Sequence, residues 1–259
     1  MNFTGTEITG WIGSYLWPLF RIGAMTAAMP VFGSILIPPR IRLILALAIT
    51  AVVAPVLPAT PSIDPLSLPA VSIIAQQLAI GVAMGFALQL VFAAVTTGGQ
   101  IIAMQMGLGF ASMVDPQNGL QLPVLSQLYM LLVTLLFLGF DGHLVLIQML
   151  VESFHSLPIA ADGLTRASMW TLASWGSDMF AGAVWLALPA VAALLVVNIA
   201  FGVMARAAPQ LNIFAIGFPV TLIMGFVVIL FTLPSVVPQF THLVNGGFEL
   251  IVRVLAGGR

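Results

Sequence analysis

Lysine is absent from this chain, and charge of either sign is scarce: seven basic and eight acidic residues, 6% of 259, against about 25% in an ordinary soluble domain. So little charge cannot make a water-facing surface. Between Asp64 and Asp115 there is no ionisable side chain at all, a stretch long enough for about two bilayer crossings of about 20 residues each. A formal net charge of −1 gives no electrostatic footprint for nucleic acid. Cysteine is missing too, which removes disulfides, thiolate metal sites and cysteine nucleophiles together. No Walker loop, HExxH, GxSxG or dinucleotide fingerprint occurs, and His143, His155 and His242 lack metal-ligand spacing. Neither an enzyme nor a cofactor is indicated.

Hydrophobic residues make up 61% of the chain. Barrel strands would alternate polar and apolar, so helices are the spanning structure that this composition supports. The expectation is an all-α polytopic membrane protein of helical hairpins, a single domain over residues 1–259 with about six long apolar segments. Met1 to Gly10 lacks the basic residues of a secretory signal and reads as retained. Ile8 to Ile37 is interrupted by Pro18, Arg21 and Pro30, which suggests a bent or broken helix. Pro38-Pro39 stops it, and Arg40 and Arg42 form the densest positive charge in the sequence, a weak cytoplasmic signal.

Leu43 to Leu57 follows, then a proline-rich loop to Pro69. The next apolar run, from near Val71 to Met106, places Gln89, Thr96, Gln100 and Gly107 on one narrow stripe at about 100° per residue. Asp141-Gly142-His143 reads as a tight turn between segments Leu122 to Phe140 and Leu144 to Leu157. Pro158 to Ser177 is a more polar connector. Met179 to Ala205 and Leu211 to Leu233 are joined by a link short enough to imply an antiparallel hairpin. The tail from His242 is moderately apolar and ends basic, suited to an interface.

Three features stand out as candidates for function. Arg21 lies inside an apolar segment, where an ionisable residue is a functional candidate by default; the plainer alternative is snorkelling, or pairing with a backbone carbonyl or a neighbouring subunit. Gly81 and Gly85 form a GxxxG pair suited to close helix packing. The segment GLGFASMVDPQNG, residues 107–119, carries turn signals rather than a helical pattern. Irregular backbone at membrane depth is tolerated where protein buries it or it lines a cavity, so the segment points to a pore or a subunit interface, with an ordinary external loop as the alternative. Met104, Met106, Phe110 and Met113 on or beside it are bulky groups able to close a constriction and deform around a passing chain.

PVFGSILIPPRIRLILALAIT (30–50), GLGFASMVDPQNG (107–119) and VMARAAPQLNIFAIGFPV (203–220), three separated motifs in order, resemble the FliR family of flagellar biosynthetic proteins. The resemblance implies a single-copy subunit that assembles with several copies of FliP and FliQ into a helical export gate in the bacterial inner membrane, at the flagellar basal body. Such a gate is a conduit for unfolded flagellar subunits and not an enzyme; its energy comes from other export components. The assembled gate is partly lifted out of the bilayer, so some apolar segments would meet partners in place of membrane lipid.

By the same resemblance, the pore plug falls on Gly107, Leu108, Gly109, Phe110, Ala111, Ser112, Met113, Val114, Asp115 and Pro116. Arg206, Pro209, Gln210 and Asn212 fall at a hairpin tip facing a neighbouring subunit or export component, although Pro209 and Asn212 equally suit a turn and a helix cap. Rival expectations are the equivalent subunit of a virulence type III secretion system and a secondary transporter for a small solute. The transporter would call for an internal repeat, and none is evident.

Overall fold

The structure, a computed structural model, describes residues 5–34, 37–58, 61, 63, 67–109, 123–208 and 213–257. Among these there is no strand. The helices are α1 (Gly5–Ala28), α2 (Pro39–Val53, extended by a 3-10 turn at Ala54–Val56), α3 (Leu68–Gln105), α4 (Val124–Gly139), α5 (Gly142–Ser156), α6 (Arg166–Ser174), α7 (Gly176–Ala207) and α8 (Ile213–Ala256).

Local chemistry accounts for most boundaries. α2 starts on Pro39, whose missing N–H falls where a helix has no partner for it. α4 ends at a sharp corner, where Asp141 adopts a left-handed conformation with φ 56° and its carbonyl receives the N–H groups of Leu144 and Val145. The two helices around that corner are bent by 64°. Thr165 caps α6 by accepting the N–H of Ser168 at 3.1 Å, and its hydroxyl donates to the Gly257 carbonyl at 2.7 Å. The connector thus contains a helix tied to the end of the chain.

Among the described residues, four helices are long and apolar enough to cross a membrane, or five if α4 and α5 are one broken span. The sequence suggests about six segments. Part of the difference is α1, which carries Arg21, Pro18 and several small polar residues and is not among the four. α3 has 38 residues and α8 has 44, contours of about 57 and 66 Å at ~1.5 Å per residue, well beyond a hydrocarbon core of about 30 Å. α8 runs on through Pro219, Pro234 and Pro238. The expected interfacial tail is therefore the last stretch of a long helix, with Leu250, Ile251 and Val254 buried.

Two compact units partition the chain, both discontinuous in sequence. Unit 1 comprises residues 1–90, 137–176 and 245–259. Trp17, Ala70 and Ile73 form a core cluster there, with Phe20, Ile63, Ile74 and Ile159 packed around it. Unit 2 comprises residues 91–136 and 177–244. Its interior includes Phe92 and Phe240, edge-to-face at 5.8 Å, and the small-residue face of α7 at Ala183, Ala187 and Ala190.

Candidate functional site

α1 lies directly against the GxxxG pair of α3. A Cβ at Gly81 would overlap the Arg21 carbonyl oxygen and lie 2.8 Å from the Ala24 Cβ; one at Gly85 would sit 2.6 Å from the Ala28 Cβ. Only glycine admits α1 at this separation. The close crossing carries the Arg21 side chain into the interior of unit 1, where it has no exposure.

There the guanidinium is satisfied by neutral acceptors. Nε donates to Gln77 Oε1 at 2.9 Å. Nη1 donates to the Ser153 carbonyl at 2.8 Å and to its hydroxyl at 3.0 Å, and Nη2 donates to the Leu157 carbonyl at 2.8 Å. Its carbon also lies 4.1 Å from the centre of the Phe154 ring, within cation–π range. Ser153 and Leu157 belong to the last turn and cap of α5, where helical carbonyls lack partners and the macrodipole is negative. The cation closes the C-terminus of α5, and burying its charge is offset by the dipole and charge-assisted bonds. Gln77 Nε2 has no hydrogen-bond partner among the described residues.

In unit 2, α3 ends on a Schellman motif. Gly107 takes φ 83°, its N–H donates to the Met104 carbonyl, and the Leu108 N–H donates to the Ala103 carbonyl, both at 3.0 Å. Gly107, Leu108 and Gly109 form this turn. Phe110, Ala111, Ser112, Met113, Val114, Asp115 and Pro116 lie outside the described residues. Arg206 is exposed in the last turn of α7, a favourable end for a cation, whereas Pro209, Gln210 and Asn212 lie outside the described residues. Of the polar stripe on α3, Gln89 and Gln100 are exposed, and the Thr96 hydroxyl donates to the Phe92 carbonyl of its own helix at 2.9 Å.

A model of the family described as bacterial export proteins, family 1, matches residues 12–247. The flagellar biosynthetic protein FliR of Escherichia coli is 41% identical over 256 residues, covering 99% of this chain and 98% of the relative. The chain belongs to the FliR family. The flagellar biosynthetic protein FliR of Pectobacterium carotovorum is 38% identical, covering 98% of this chain and 97% of its own. Its counterpart in Aquifex aeolicus is 31% identical over 84% of each chain.

Four partners of Arg21 escape sequence reasoning: Gln77, Ser153, Phe154 and Leu157. The adjacent Gln76 and Gln77 in the apolar run after Val71 were the available signal, because a buried amide needs a polar partner. Ser153, Phe154 and Leu157 offered none, being ordinary residues of a helix end.

Proposed function

We propose that this chain is a core subunit of the flagellar type III protein export gate in the bacterial inner membrane, at the basal body. With FliP and FliQ it forms the conduit through which unfolded flagellar subunits cross. It acts as a conduit and neither catalyses a reaction nor uses a cofactor. The observation that carries the reading is the match, over nearly the whole chain, to proteins named for flagellar biosynthesis within a family of export proteins. Those names favour the flagellar branch over a virulence system.

The distribution of apolar surface supports an assembly. The most apolar window of α3 is 61% buried inside the chain, whereas that of α8 is 17% buried. Ile223, Phe226, Leu230 and Phe231 of α8 are all exposed. Contiguous apolar faces of this size must be covered by lipid or by protein, and helices longer than the hydrocarbon core need protein cover for the excess. FliP and FliQ supply it in this reading. Arg206, Pro209, Gln210 and Asn212 then contact a neighbouring subunit or an export component.

Residues 107–116 plug the resting pore. A tight left-handed turn at Gly107 suits this role, since it redirects the chain abruptly out of a rigid helix. Two experiments test the proposal. Native mass spectrometry after coexpression with FliP and FliQ should give one copy of this chain bound to several copies of each; a lone monomer or homodimer beside folded partners would refute the assembly. Deleting residues 107–116 should leave the complex assembled but permeable to ions at rest, and an assembled, ion-tight deletion would refute the plug.

A further inference from the structure

We infer that Met106, seated in a notch that Gly225 leaves in α8, is a positioning residue for the plug: it fixes the direction in which the chain leaves α3 at Gly107. The inference rests on the plug reading of residues 107–116. Within unit 2 the end of α3 is held from several directions. A Cβ at Gly98 would lie 3.0 Å from the Ala183 carbonyl oxygen and 2.9 Å from Leu186 Cδ2, both on α7. A Cβ at Gly99 would lie 3.1 Å from Ser126 Cα on α4. These approaches seat the shaft of α3 but stop two turns short of its end.

The last turn is secured by Met106. Its side chain is fully buried, as are Ile102 and Ala103 on the same side, while Met104 is exposed. A Cβ built on Gly225 would come within 2.5 Å of Met106 Cε, 2.6 Å of Cγ and 2.8 Å of Sδ. The thioether therefore lies across the bare backbone of α8, in space that any other residue would fill. One residue later Gly107 turns left-handed and the Schellman bonds close. The contact and the turn are thus adjacent, so a shift of Met106 is passed directly to Gly107 through one rigid peptide unit. A methionine held by dispersion alone can leave the notch and return without breaking a hydrogen bond. That suits the root of a segment that must yield to cargo and then reset.

The test uses the complex coexpressed with FliP and FliQ and placed in lipid vesicles, with assembly read by native mass spectrometry and resting ion flux read separately. The variants are Gly225→Ala, Met106→Ala and both together, with the deletion of residues 107–116 as the reference for an unplugged pore. Gly225→Ala expels the thioether and Met106→Ala removes it, so each should assemble and leak severalfold more than the parent. The double variant removes the very atoms that the new methyl would strike but still lacks the thioether, so its leak should equal that of Met106→Ala and not exceed it. Met106→Leu, which keeps apolar bulk but branches against the notch, should also assemble and leak, and it carries the test if the alanine variants do not assemble. Ion-tight single variants beside a leaking deletion overturn the latch and leave the plug standing. Single leaks that simply add in the double variant also overturn it. A deletion that stays ion-tight removes the plug and the latch together.

Discussion

Replacing Arg21 by methionine tests whether the guanidinium is a structural closure of α5. Methionine keeps much of the apolar stem and loses every donor. The Ser153 carbonyl would still accept the Leu157 N–H at 2.9 Å, and the Ser153 hydroxyl would still donate to the Leu150 carbonyl at 2.6 Å. The Leu157 carbonyl and the Gln77 amide would lose the partners they have. Two unmet buried polar groups cost about 1–3 kcal/mol each. No longer burying a charge offsets part of this, which leaves a net loss of about 2–4 kcal/mol. For a chain of this size about 2–4 °C is lost per kcal/mol, so the melting temperature should fall by roughly 4–16 °C. Arg21→Lys should fall between the two, because an ammonium is a point charge that cannot span three acceptor sites. The assay is thermal unfolding of the purified complex in mild detergent, read beside flagellar export in cells. Adding Gln77→Leu to Arg21→Met removes one orphaned amide and should recover part of the loss. An unchanged melting temperature for Arg21→Met, or strict additivity with Gln77→Leu, would refute the reasoning. Loss of export from a complex that assembles and melts normally would instead give Arg21 a direct part in transport.

Gly81→Val should destabilise the chain by more than a typical surface change, about 2 kcal/mol or above, because the new side chain meets the α1 backbone at Arg21 and backbone cannot rotate away; thermal unfolding checks it. Gly23→Ala, on α1 but with open space around the added methyl, is its control and should melt within a few degrees of the parent. Thr165→Val should cost about 1 kcal/mol through the lost α6 cap, and hydrogen exchange should accelerate in α6 and at the end of α8, since the same hydroxyl holds Gly257. Exchange that quickens only in α6 would show that the Gly257 bond contributes nothing.

Some features follow from the sequence alone because their causes are local. Scarce charge and long apolar runs require helices in or beside a membrane, and the Asp141-Gly142 corner follows from backbone chemistry within a few residues. Gly107 belongs with them, since a left-handed position at a helix end favours glycine. Pro38-Pro39, expected to stop the first helix, instead opens α2, since α1 already ends at Ala28, before Pro30. Three ordered motifs were enough to suggest the family. The candidate site was legible only in part: Arg21 stood out as a charge in an apolar segment, but its acceptors at Ser153 lie 132 residues away. Nothing local announces that the carbonyls of Ser153 and Leu157 at the C-terminus of α5 take donors from α1. α3 is apolar on most sides, so no periodicity marks it as the most buried of the long helices. The tertiary structure decides that, by letting Gly81 and Gly85 receive α1 and by setting Met106 against Gly225. Packing partners are fixed by which surfaces fit once the chain has folded, and a linear pattern records the shape of only one side of each contact.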